Sequence, residues 1–137
     1  ISETSKCAFS FVNIGFVPDS GAACLVTRAV GTTRAKDLFM SGRFFSGKDA
    51  ADWGLFTEAV PAEELEERVM KYVKKYSSGP SVAYAGIKTV INRAQFAAYA
   101  DAMQAEIDAQ GECELTEDFP EAVTAFLEKR RPQFKGK

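Results

Sequence analysis

The hydrophobic pattern of this chain changes character at Pro61. Residues 8–18, Ala-Phe-Ser-Phe-Val-Asn-Ile-Gly-Phe-Val-Pro, are aromatic and β-branched with partial alternation, and they close on Gly15 and Pro18. That pattern predicts a short strand running into a turn. Asp19-Ser20-Gly21 then opens a segment in which Ala22, Leu25, Val26, Ala29 and Val30 recur at helical spacing until Gly31 stops it. A second helix is predicted from Thr32 to Ser41, with Thr32 or Thr33 as cap, Ala35, Leu38 and Phe39 turned inward, and Gly42 as the stop. Arg43-Phe44-Phe45 reads as extended. Ser46 caps a turn of helix with Ala50, Ala51 and Trp53, Gly54 ends it, and Leu55 to Val60 is extended again.

After Pro61 the pattern is that of long helices. In 62–77 the positions Leu65, Val69, Tyr72, Val73 and Tyr76 form one stripe, with glutamates early and lysines late, an order that suits the helix dipole. Ser77-Ser78-Gly79-Pro80 is a break, and Pro80 starts a helix carrying Val82, Ile87, Val90 and Ile91. A further helix over about 94–110 carries Phe96, Tyr99, Met103 and Ile107 along one side and ends at Gly111, and a last one around Pro120 to Arg130 carries Val123, Phe126 and Leu127. The front 60 residues are therefore α/β and the remainder helical. Two or three short strands leave unpaired edges, so they are expected to find partners outside this chain or in another subunit.

Composition narrows the chemistry. At 137 residues, 46% apolar and 26% charged, the chain has room for one ordinary domain or a piece of a larger one. A net charge of −2 is not the broad positive field of a generic nucleic-acid or anionic-membrane binder, so neither partner is expected. The chain has no histidine, which excludes Ser-His-Asp and Cys-His nucleophiles and any metal site built on imidazole. Cys7, Cys24 and Cys113 are too far apart for a CxxC or zinc-knuckle pattern and read as buried or idle thiols of a reducing compartment. With no apolar run near the roughly 20 residues of a membrane span and no signal-peptide pattern, the expected address is cytoplasmic. The first residue is Ile1 rather than Met, which leaves open that the sequence is a piece of something longer.

Two places could carry chemistry. Asp19 lies between a strand end and a helix start, where α/β proteins commonly hold ligands, and beside Phe16 and Val17 its carboxyl could serve as a general base. The alternative is that it caps the helix that follows. Ser20 is no nucleophile, since GxSxG is absent and nothing is present to deprotonate it. Phosphate-loop patterns are absent as well. At the C-terminus Lys129-Arg130-Arg131, with Lys135 and Lys137, sits beside Phe126 and Phe134; aromatic plus cation suits an adenine and its phosphates, and a solvated helix end is the alternative.

The motifs Phe-Val-Asn-Ile-Gly-Phe-Val-Pro-Asp-Ser-Gly (11–21), Arg28-Ala-Val-Gly31, Ser41-Gly42, Phe45-Ser46, Asp49-Ala50, Trp53-Gly54-Leu55 and Glu58-Ala-Val-Pro61, and the ending Ala125 to Phe134, resemble the enoyl-CoA hydratase/isomerase (crotonase) family over nearly the whole chain. The resemblance is to the family's back half, and it implies a fold class: the C-terminal part of a crotonase-like ββα spiral (1–60) followed by a helical, trimerising region (61–137). It also implies an acyl-CoA substrate, with coenzyme A entering as part of the thioester and no separate cofactor, and a homo-oligomer, a trimer or a dimer of trimers. Hydratases of the family carry a Glu where this chain has Phe11, and usually Gly where it has Asp19. The isomerase and dehalogenase branches resemble this chain in having Asp. The resemblance thus favours Asp19 as the catalytic acid/base of an isomerase, and implies that Phe126 and Lys129 reach the adenosine end of CoA. The amides of the oxyanion hole would lie in the missing front half, so this polypeptide alone is expected to be inactive.

Overall fold

The computed structural model describes residues 1–95 and 98–135. It is helix-dominant, with two strands of two residues each, β1 (Lys6–Cys7) and β2 (Phe45–Ser46). They pair antiparallel with Lys6 opposite Ser46 and Cys7 opposite Phe45, and a parallel bridge joins Ser2 to Val60. Among the described residues the α-helices are, in chain order, α1 (Ala22–Val30) and α2 (Thr32–Ser41) between the two strands, then α3 (Gly47–Asp52), α4 (Leu65–Ser77), α5 (Ser81–Gln95), α6 (Tyr99–Glu114) and α7 (Asp118–Leu127).

The strand predicted within 8–18 is not formed. Ser10–Ile14 is a 3-10 turn closed by Gly15 at φ 70°, and 16–19 runs on as irregular backbone. The physical reason is that among the described residues no strand lies alongside to take its amides, while the turn satisfies them locally: Gly15 N–H donates to Val12 O and Phe16 N–H to Phe11 O. Leu55 to Val60 likewise contributes only the bridge at Val60. By contrast α1 and α2 begin and end where the pattern predicts, although α2 starts on Gly31 and not on a threonine cap. Ser46 and Asp49 form a reciprocal capping box at α3: Asp49 N–H donates to Ser46 Oγ at 3.0 Å, and Ser46 N–H donates to Asp49 Oδ2 at 3.1 Å.

The core of the front part is Leu38, Phe45 and Ala50, with Cys7, Phe9, Val30, Trp53 and Leu55 packed around it. Phe9 leans on Phe39 and Phe45, and Phe45 on Trp53, with ring centroids 5.0–5.7 Å apart. Gly47 is required here, because a Cβ on it would overlap the carbonyl oxygen of Ser2.

Helices α6 and α7 return to the front part: α6 packs on α1, and α7 on the 3-10 turn. Their inward faces match the predicted ones only in part: Met103 turns inward as predicted, and Ile107 does not. Ile107 is 61% exposed and Glu106 only 7%, so the buried side of α6 runs through Met103, Glu106, Gln110 and Cys113. In α7 Ala122 and Ala125 are buried, while Phe126 and Leu127 face solvent. Two alanines let α7 lie close to the backbone of the turn, and the bulkier neighbours are left outside. Helix α6 also runs through Gly111 to Glu114 rather than ending there. Phe96 of the predicted stripe and Lys137 lie outside the described residues, as do the side chains of Val82 and Tyr99.

Candidate acid/base and ligand-binding site

Asp19 sits at the head of a tight turn. Its carbonyl oxygen accepts the Ala22 N–H at 2.8 Å, and both central residues are left-handed, Ser20 at φ 55° and Gly21 at φ 79°. This is the pattern of a type I′ turn, which a serine occupies only under constraint. Three anchors hold the segment. Phe16 stacks on Phe119 of α7 with ring centroids 4.3 Å apart, and the Val17 carbonyl accepts from Gln110 Nε2 at 3.1 Å. Glu106 supplies the third: its two carboxylate oxygens accept the Gly21 N–H at 2.6 Å and the Ala23 N–H at 2.9 Å.

Helix α1 is therefore capped, but by Glu106 from another helix and not by Asp19. No side chain of the chain segment leading into α1 bonds to its first amides. Two charge-assisted bonds from a buried carboxylate satisfy amides that would otherwise be left without partners. The Asp19 carboxylate makes no hydrogen bond or ion pair among the described residues, and it is the one acidic side chain between Ser10 and Gly21. Phe11, half-buried in the 3-10 turn, brings no carboxylate to this neighbourhood. A cavity of about 510 Å³ runs along Val30 to Asp37, and another of about 460 Å³ lies between Thr4–Lys6 and Phe44–Asp49; Asp19 lines neither.

At the C-terminus α7 ends in a Schellman motif. The Arg130 N–H donates to Ala125 O at 3.0 Å and the Lys129 N–H to Phe126 O at 3.2 Å, with Lys129 itself left-handed at φ 55°. This bend carries both predicted CoA residues, Phe126 73% exposed and Lys129 exposed. The basic cluster is sorted by its partners. Arg130 is gripped by Glu121 through two bonds of 2.6 and 2.8 Å and by Glu128 at 2.6 Å, which raises its already high pKa further. Lys135 lies 3.3 Å from Glu117. Lys129 and Arg131 make no ion pair among the described residues, so they are the cations of this cluster open to an anion. The adjoining cavity of about 310 Å³ is lined by Glu117, Asp118 and Glu121 beside Arg130 and Lys135, a poor setting for phosphate. Among the described residues, no three acidic or cysteine side chains are gathered to hold a metal ion.

The enoyl-CoA hydratase/isomerase family model matches residues 1–137. This chain belongs to that family. An enoyl-CoA hydratase structure from Mycobacterium avium subsp. paratuberculosis superposes with a TM-score of 0.93 at 38% identity, covering 98% of this chain and 55% of that one. The fold is thus the family's crotonase fold, over the part these residues supply. The trans-2-decenoyl-(acyl-carrier-protein) isomerase of Streptococcus mutans is 34% identical over 99% of this family member and 52% of its own length. The 1,2-epoxyphenylacetyl-CoA isomerase of Escherichia coli is 31% identical over the same shares. The chain spans about half the length of the curated relatives it matches.

Proposed function

We propose that these residues form the C-terminal half of a cytoplasmic enzyme that moves a double bond in an enoyl-CoA, with Asp19 as its single acid/base. The observation that carries this reading is a carboxylate with no hydrogen-bond or ion-pair partner among the described residues, on a turn anchored at both ends by other side chains. In a 3-enoyl thioester, Asp19 would take a proton from C2, giving a dienolate, and return it at C4 to leave the 2-enoyl product. One carboxyl serves both transfers because it ends the cycle in the state in which it began. Amides in the other half would hold the thioester oxygen as charge develops there, and removal of one such donor typically costs about 10²–10³ in rate. Phe126 and Lys129 would meet the adenosine and phosphate end of CoA, and no further cofactor takes part. Residues 1–60 would close the spiral core and 61–137 would build the trimer, or pairs of trimers. The three free cysteines fit a reducing compartment.

Water addition is the competing outcome, because the Mycobacterium structure at 38% identity is described as a hydratase. A hydratase would need its acid/base in the other half, since the family's Glu position is Phe11 here. The test is to assay double-bond migration and water addition side by side on the full-length enzyme and its Asp19→Asn variant. Migration should fall by at least about 10² in the variant, within the range typical of a positioned acid/base. Migration that survives Asp19→Asn removes the assignment. Residues 1–137 alone should show no turnover of crotonyl-CoA or a 3-enoyl-CoA, and measurable turnover would refute the division of labour between halves. Titration calorimetry with CoA separates the enzyme from a purely structural module, which would show no heat.

A further inference from the structure

Resting on Asp19 as the acid/base, we propose that Glu106, with Gln110 one helical turn further along α6, is the positioning residue that aims that carboxylate. Glu106 is a buried acid that the proton transfer itself does not use. It spends both oxygens on the N–H groups of Gly21 and Ala23, the residues that close the Asp19 turn and open α1. Gln110 adds a bond to the Val17 carbonyl, two residues before Asp19 on the other side. The i, i+4 spacing puts both side chains on one face of α6, so a single rigid helix grips the loop before and after Asp19. Phe16 on Phe119 fixes the remaining approach.

The turn needs such a grip. Ser20 is held in a left-handed conformation that serine does not favour, and among the described residues no hydrogen bond or ion pair sets the direction of the Asp19 carboxylate. Without Glu106, the Gly21 and Ala23 amides would lack partners in a buried setting, and the turn could relax toward another geometry. The consequence should appear in the chemical step, because a displacement of about 1 Å in a reacting group can cost about 10² in rate while distant substrate contacts persist.

The test compares Glu106→Gln and Gln110→Met with Asp19→Asn, all in the full-length enzyme. Rates are expressed per CoA-binding site, counted by titration calorimetry, so that a loss of folded protein does not register as a loss of rate. Glu106→Gln is near-isosteric, keeps one accepting oxygen and turns an NH₂ toward the other amide. We expect its kcat to fall about tenfold or more, with KM and CoA affinity changed by less than about twofold. Gln110→Met should move kcat in the same direction by less. Unchanged kcat per site in Glu106→Gln, beside a full loss in Asp19→Asn, overturns the positioning role and leaves the acid/base standing. Activity retained in Asp19→Asn removes both. Should Glu106→Gln fail to fold, Gln110→Met decides: an unchanged kcat there overturns the role.

Discussion

Ser20 and Lys129 are the residues other than glycine whose φ is positive among the described residues, and each lies in one of the two segments proposed to meet substrate. A left-handed serine or lysine costs about 1–2 kcal/mol relative to glycine, so each is held against a local preference. For Lys129 this separates stability from binding. We expect Lys129→Gly to leave the melting temperature unchanged or raised by a few degrees, since glycine is the favoured residue at that Schellman position. The same change should raise KM for an acyl-CoA several-fold through loss of the cation. A fall in melting temperature with unaltered KM would reverse both assignments. Gly47 presents the opposite case: its Cβ would strike the Ser2 carbonyl, which is backbone and cannot swing aside. Gly47→Ala should destabilise by about 3 kcal/mol, measurable by denaturant unfolding.

Among the elements, α6 shows how a helix can depart from its apparent pattern. The pattern predicts a stop at Gly111, yet the helix continues to Glu114, and a Cβ on Gly111 would meet nothing within 4 Å. Gly111→Ala should therefore stabilise by about 0.5–1 kcal/mol, read from the unfolding midpoint. The end of α7 depends on pH through Glu121. The Arg130 guanidinium, and then the Gln133 N–H, hold its carboxyl at about 2 against an ordinary 4.5. Because the folded value is the lower one, this contribution is complete above pH 4.5 and is lost as pH falls toward about 2. The stability difference between the protein and its Glu121→Gln variant should stay constant above pH 4.5 and shrink below it. A difference that does not change with pH would show that the ion pair contributes nothing.

For the assembled protein, α4 and α5 leave Val69, Val73, Tyr76, Ile87, Val90 and Ile91 about half exposed or more within this chain. Such stripes suit the proposed trimer, in which they would be covered. Sedimentation of the full-length enzyme should give a trimer or a multiple of it, and Ile87→Lys with Val90→Lys should lower that mass. No helix of the described residues is long and apolar enough to cross a membrane.

The sequence by itself determined what depends on near neighbours: the limits of α1 and α2, the Ser46 cap of α3, and the family, carried by motifs spread along the chain. It also singled out Asp19, Phe126 and Lys129 as candidates. Only the tertiary structure decided which side of α6 and α7 turns inward, because the partner surface, not hydrophobic periodicity, selects the face that can approach closely. It also withdrew Arg130 from the basic cluster by surrounding it with carboxylates. And it assigned the cap of α1 to Glu106, 85 residues away, a bond with no local signature beyond two polar side chains one turn apart on a helix. Such a pairing exists only once the chain has folded back on itself, which is why Asp19, the acid nearest in sequence, was the natural candidate for a task performed by one far along the chain.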